Sequence, residues 1–460
     1  MRLSEKAKMK IGQLSGNTKI VLRNSAAAFL IKGAGVVVSI FSMPAFLRYF
    51  DDKATLGVWY TIVGVVTWID FFDLGIGNGL RNSLVDSFTN HRTQRAKEQV
   101  STAYILLGFL STILMAAGLI AAPLLNWNEL LNIQPDVVAA EVLTEAVRNV
   151  FVGVTLHFFL KLISSVIYAL QKSALNHALS LIGNVLRLIF VLVAPSADAE
   201  SNLLMLSRAY VFLACLPYLA ANIAVFAAKL REIRPSFGCF RCNAVREIAA
   251  VGGVFFLCQI LYMLMMNTND FCITYFTDPA NTTEYNIYYK LFSLAGTLAQ
   301  VALTPVWSAV TKAFLEGAYD WLQKLYQKCL LLMLPIIGGQ FLLVCLLQPV
   351  VNLWLGSKAI PVRHDYALIF TLWGTLFTLQ NIMSTFACGL GKLKLQLFFY
   401  IGGVAAKYLF LIMIFRHVNS WIFVIISSII VMLPYCLAQN YQLWKHFHSI
   451  ENKKQGERLS

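Results

Sequence analysis

Lys32, Lys161, Arg187 and Lys407 each stand near the middle of an apolar run of about 20 residues, the length of a membrane-crossing helix. A charge at the bilayer centre costs about 2.5–3.5 kcal/mol on insertion scales, so a helix that keeps one turns it toward protein or water. Ammonium and guanidinium groups in a dry pocket hold phosphate by charge-assisted hydrogen bonds. Residues three and four apart extend each cation into a polar stripe. The stripes are Ser25, Ala28, Lys32, Gly35 and Ser39; His157, Lys161, Ser164 and Tyr168; Asn176, Ser180, Gly183 and Arg187; and Gln396, Tyr400, Gly403 and Lys407. The longest runs through Asn286, Lys290, Ser293, Thr297, Gln300 and Thr304. These stripes predict a water-filled cationic cavity for an anionic substrate, with Lys32, Lys161, Arg187, Lys290, Lys407 and Arg81 on the anion. Asn286, Gln300, Tyr168, Tyr289 and Tyr400 are the polar contacts for the rest of it. The alternative is that Lys161 and Lys407 pair with buried acids or reach backbone carbonyls.

The acids are few. Asp70 and Asp73 lie in Ile69–Asn82, after an apolar run, and helical spacing would put Asp70, Asp73, Gly77 and Arg81 on one face. Gly75 and Gly79 form a small-x-x-x-small pair that would admit a neighbouring helix. Asp270 closes a second polar cluster, Asn267-Thr268-Asn269-Asp270, read as a helix-breaking cation site or as the lining of a cavity mouth. Asp70, Asp73, Asp270 and Asn267 are therefore the candidates for coupling transport to H+ or Na+.

Positioning these residues requires a polytopic all-α membrane protein. Of 460 residues, 58% are hydrophobic and only 13% charged, about half the charge of a soluble domain. Twelve spans are expected, at roughly 22–48, 54–80, 99–124, 146–171, 174–194, 203–228, 247–276, 284–311, 326–347, 364–390, 395–415 and 420–443. Two six-helix bundles, 22–228 and 247–443, flank a linker at 229–246, with basic tails at 1–21 and 444–460. Tyr49-Phe50-Asp51-Asp52 and Tyr275-Phe276-Thr277-Asp278 end the first span of each half, which suggests a parallel repeat. The net charge of +14 gathers in alternate loops, at Arg92, Arg95, Lys97, the linker arginines and the tails. That pattern marks a cytoplasmic face with both termini inside and contact with anionic lipid, not a nucleic-acid partner. Cys239 and Cys242 form a single C-x-x-C, which without a second pair is a weak metal signal, and no cofactor is expected.

Three segments together resemble the Wzx-type polysaccharide flippases of the multidrug/oligosaccharidyl-lipid/polysaccharide exporter superfamily. They are Asp73-Leu74-Gly75-Ile76-Gly77-Asn78-Gly79-Leu80-Arg81-Asn82, Thr268-Asn269-Asp270 leading to Tyr285-Asn286-Ile287-Tyr288-Tyr289-Lys290-Leu291-Phe292, and Thr304-Pro305-Val306-Trp307-Ser308-Ala309. The resemblance implies a MATE-like fold in a bacterial inner membrane. It also implies a non-enzymatic flippase that moves an undecaprenyl-diphosphate-linked oligosaccharide, an O-antigen, capsule or exopolysaccharide unit, by alternating access. Partner glycosyltransferases and a polysaccharide polymerase would follow. A drug/cation antiporter of the same fold is the alternative, but it would be expected to line its cavity with acids. A membrane-embedded polymerase or acyltransferase would need a larger outer loop or a buried His with acidic partners.

Overall fold

A computed structural model describes residues 16–459 apart from 73, 74, 171, 196 and 316. Every regular element among them is helical. The first half runs through α1 (Gly16–Phe50), α2 (Lys53–Val66), α3 (Ile76–Thr89), α4 (Thr93–Ala121), α5 (Ala140–Leu160), α6 (Ile163–Ala169), α7 (Ser173–Val193) and α8 (Ala199–Ala224). The second contains α9 (Cys242–Met266), α10 (Asn269–Phe276), α11 (Pro279–Phe292), α12 (Leu294–Leu315), α13 (Tyr319–Leu331), α14 (Met333–Cys345), α15 (His364–Gly389), α16 (Lys394–Ile414) and α17 (Ile422–Leu459). Ten helical segments among the described residues are long and apolar enough to cross a membrane. The other two expected spans follow α9–α10 and α11–α12, which break at Asn267–Thr268 and at Ser293.

The short repeated signature has a structural meaning. Asp52 and Asp278 each leave the preceding span in an extended conformation and cap the next helix, accepting from Thr55 N at 2.7 Å and from Ala280 N at 2.7 Å. The two helices so started, α2 and α11, pack against one another across the halves. Gly57 of α2 is where they touch: a Cβ built there would lie 1.7 Å from the Pro279 carbonyl oxygen.

The core follows the same asymmetry. Toward the α1–α2 turn one continuous cluster draws on both halves, from Phe50, Trp59 and Val150 to Tyr288, Phe370 and Tyr435. Toward the linker it divides in two, around Leu80, Val100 and Ile163 in the first half and around Val310, Tyr326 and Phe386 in the second. The buried side-chain core is thus continuous between the halves at one end and divided at the other, where α9 still packs against α3 and α4.

The segment after α2 departs from the sequence expectation. Instead of one helix carrying Asp70, Gly77 and Arg81 on a common face, α2 tightens to a 3-10 turn at Thr67–Phe71 and stops. The chain restarts at Gly75 with φ +74°, a left-handed conformation that only glycine adopts at little steric cost. Gly75 is therefore the turn residue from which α3 starts. Asp73 lies outside the described residues, as does the side chain of Cys242.

Candidate functional site

A cavity of about 220 Å³ lies between α1, α7 and the α11–α12 junction. Lys32, Gly35 and Ser39 line it from α1, His177, Ser180 and Asn184 from α7, and Tyr289, Lys290, Ser293 and Thr297 from the second half. Among its described lining residues there is no aspartate or glutamate. Lys290 Nζ donates to the Ser39 carbonyl at 3.0 Å and so bridges the halves. Among the described residues none supplies Lys32 with a carboxylate or a hydrogen-bond acceptor, and its electrostatic neighbour is His177. Asp270 lies within electrostatic reach of Lys290, so of the two cations it is Lys32 that supplies the uncompensated field favouring an anion, with Lys290 as a second donor.

The other predicted cations are placed elsewhere. Lys161, following α5, pairs with Asp70 (Nζ–Oδ2 3.1 Å), and His157 Nδ1 lies 3.8 Å from the other carboxylate oxygen. Arg81 stacks on Tyr168, 5.0 Å from its centroid, and the Tyr168 hydroxyl accepts from Asn176 at 2.8 Å. Arg187 donates to the Gly183 carbonyl and to Asn184, and lies over Tyr210, 5.5 Å from its centroid. Asn184 therefore links it to the cavity wall without bringing the guanidinium into the lining.

Lys407 is a clear correction to a single shared chamber. It is 0% exposed, and its Nζ donates to Met265 O at 2.5 Å, Asn269 Oδ1 at 2.8 Å and Thr268 Oγ1 at 3.2 Å. The break between α9 and α10 frees the Met265 carbonyl from the helical ladder, and the lysine of α16 takes it. An amine tethered to the fold thus fills the acceptor cluster of a broken helix, where a mobile cation would otherwise be drawn.

Asp270, at the start of α10, accepts from Asn286 Nδ2 at 2.8 Å. Asn286 is thereby committed to Asp270 and to the Thr282 carbonyl. Asn267 is exposed at the break, and its carbonyl accepts from Trp68 Nε1 of the first half at 3.1 Å. Tyr400 is buried, accepting from Gln380 and Gln396 at 2.8 and 3.1 Å. Gln300 is exposed on α12. Tyr289 is the one predicted polar contact in the cavity wall. His177 and Asn184 were not among the predicted site residues, although with Ser180 they repeat at three- and four-residue steps on α7.

Polar contacts close the joined end. Thr61 and Thr274 hydroxyls meet at 2.5 Å, Thr283 Oγ1 donates to Lys53 O at 2.8 Å, and Trp354 Nε1 donates to Ile40 O at 2.9 Å. Asn132 Nδ2 donates to Tyr275 O at 2.6 Å, and Lys358 pairs with Asp51.

Structures of multidrug MATE transporters share this architecture. The chain matches one captured inward-facing with a TM-score of 0.70, covering 92% of this chain and 99% of that one at 12% identity. The outward-facing form gives 0.64, covering 93% and 96% at 13% identity. The chain has the MATE-type fold. A third structure with that fold, a MOP superfamily transporter from Pyrococcus furiosus described as having a binding pocket of reverse polarity, matches with a TM-score of 0.63 over 92% of this chain and 95% of that one, at 13% identity. No protein-family model matches the sequence. A curated protein of Yersinia pseudotuberculosis, "Putative O-antigen export protein", is 21% identical over 370 residues, covering 76% of this chain and 80% of that one. The MATE-type fold and the apolar helices make the chain a multi-pass membrane protein.

Proposed function

We propose that the chain is a flippase that carries an undecaprenyl-diphosphate-linked oligosaccharide across a bacterial inner membrane, with both termini in the cytoplasm. The observation that carries this reading is the cavity between the halves, whose described lining residues include Lys32 and Lys290 and no acid. A diphosphate matches two separated ammonium groups, and the hydroxyls of Ser39, Ser180 and Thr297 offer further hydrogen bonds to its oxygens or to the first sugar. The prenyl chain stays in lipid alongside α1, whose Phe29, Leu30, Val37 and Phe41 are exposed. A carrier of organic cations would gain little from this pocket, because Lys32, which has no carboxylate partner among the described residues, repels such a cargo. The exporter from Yersinia supports the same class of cargo by its name.

In this reading Asp70 and Asp270 are the groups through which H+ or Na+ would drive the cycle. Glycosyltransferases and a polysaccharide polymerase would supply and consume the cargo. The test is complementation of a strain lacking its O-unit flippase. The Lys32→Ala/Lys290→Ala double variant is expected to reduce surface polysaccharide about tenfold or more at unchanged protein level, the equivalent of losing at least one charge-assisted contact. Wild-type polysaccharide in that variant would contradict the proposal.

A further inference from the structure

A second basic site lies outside the transport cavity. A cleft of about 890 Å³ is lined by His91, Arg92 and Arg95 at the α3–α4 turn, Glu98 and Gln99 on the first turns of α4, and Arg241 from the chain joining the halves. Its described lining holds three guanidiniums and one carboxylate, Glu98; Arg241 lies 3.5 Å from Glu98, and Arg92 lies 3.8 Å from Asp86. The cleft therefore keeps a positive surplus. It also sits at the N-terminus of α4, a 29-residue helix that begins at Thr93 with no side chain capping its first turn, an arrangement that favours an anion.

An independent observation points to a ligand. Gln99 is 1% exposed and its Oε1 accepts from Ser87 at 2.8 Å, yet among the described residues its Nε2 has no acceptor. Buried amide donors are almost always satisfied, and this one belongs to a cleft walled by arginines. An oxygen acceptor in the cleft would satisfy it, and the arginines around it favour one that carries negative charge. Guanidiniums bind phosphate oxygens in bidentate fashion, and the space exceeds what a bare phosphate fills. We propose that this cleft binds a phosphate ester or diphosphate, and that its occupancy pins the linker to the first half.

The linker makes that coupling physical. It already lies along α4, where Ser236 N donates to Ser101 Oγ at 3.0 Å and Arg241 N to Thr102 Oγ1 at 3.1 Å. Arg241 comes immediately before α9, the first helix of the second half. A ligand held jointly by Arg92, Gln99 and Arg241 adds a clasp at the point where one half must turn relative to the other. This inference does not require the cargo assigned above, only that the halves move.

The phosphate can belong to a soluble ester or to a lipid headgroup, and two assays separate these sources. Inorganic pyrophosphate is titrated calorimetrically into the purified full chain in detergent free of anionic lipid. Retained lipid is measured by native mass spectrometry after reconstitution in phosphatidylcholine nanodiscs with or without phosphatidylglycerol. Arg241→Ala alters an exposed side chain and leaves the fold intact, while Gln99→Leu removes the orphan donor and Lys32→Ala reports on the transport cavity. In the Lys32→Ala background, which removes the diphosphate contact of the transport cavity, pyrophosphate binding, or phosphatidylglycerol retention, is expected to persist and to weaken about tenfold when Arg241→Ala or Gln99→Leu is added. Hydrogen exchange across residues 231–241 should slow when ligand is bound. Binding and retention in Lys32→Ala unchanged when Arg241→Ala is added, their loss in Lys32→Ala alone, or linker exchange unchanged by ligand would overturn the proposal.

Discussion

Lys407→Ala is expected to destabilise the folded protein by about 2–4 kcal/mol, through the loss of three hydrogen bonds to a charged donor and the cavity left by its stem. The desolvation relieved by removing a buried ammonium offsets part of this, which keeps the figure below the sum of the separate bonds. The Met265 carbonyl, Asn269 Oδ1 and Thr268 Oγ1 would lose the amine that organises the helix break. Lys407→Met fills most of the same volume without the donor and should fall between. Thermal unfolding of the purified protein, followed by tryptophan fluorescence, checks the order wild type, Met, Ala. Lys32→Ala, in a cavity wall, should melt with wild type. If Lys407→Ala also did so, the amine would not be the structural tie described.

Gly57→Ala carries the second large effect. Alanine favours a helix interior over glycine by about 0.5–1 kcal/mol, so α2 alone would gain from the change. The Cβ, however, falls 1.7 Å from the Pro279 carbonyl oxygen and 2.4 Å from its carbon, and backbone atoms cannot swing aside. The α2–α11 contact must separate by more than 1 Å to reach the 3.0 Å that real Cβ contacts respect. Overpacking of this kind costs about 1–3 kcal/mol. Because the cost falls only on the conformation in which this end is closed, the population should shift toward the open one by roughly tenfold or more. Spin labels at exposed Lys53 and Asp365, one in each half, should then report a longer distance in Gly57→Ala than in wild type, with little polysaccharide exported. An unchanged distance distribution would mean that the contact is not part of the gate.

The parts of the site that the sequence revealed were those where helical periodicity survives folding. Lys32, Gly35 and Ser39 repeat on an unbroken stretch of α1, and all three line the cavity. Lys290, Ser293 and Thr297 keep their common face across the α11–α12 junction because the chain there deviates by only one residue. On α7 the reading was turned by a fraction of a helical turn. His177, Ser180 and Asn184 face the cavity, whereas Gly183 lies against α8 at the Leu213 carbonyl and Arg187 stacks on Tyr210. A wheel drawn from polar residues alone cannot distinguish a wet face from one that satisfies its polarity on a neighbouring helix.

Two features escaped periodicity altogether. The 3-10 turn at Thr67–Phe71 and the left-handed Gly75 that starts α3 interrupt the expected continuous helix, so Asp70 and Arg81 do not align. The destination of Lys407 depended on a carbonyl 142 residues away in sequence, freed by a helix break that the Asn267–Asp270 cluster announced without indicating what would occupy it. The sequence reading had left open both outcomes for Lys161 and Lys407, acid pairing and carbonyl capture. Each occurs once. The signature around Asp52 and Asp278 was more informative than its length suggested, since capping chemistry is local and both aspartates perform it.

The central claim is that Lys32 and Lys290 together hold a diphosphate in the space between the halves. Its most direct test is equilibrium binding of undecaprenyl diphosphate to the purified chain in nanodiscs of neutral lipid, compared with the Lys32→Ala/Lys290→Ala variant. Binding weakened about tenfold or more in the variant is the predicted result. Equal affinity in the two proteins would contradict it.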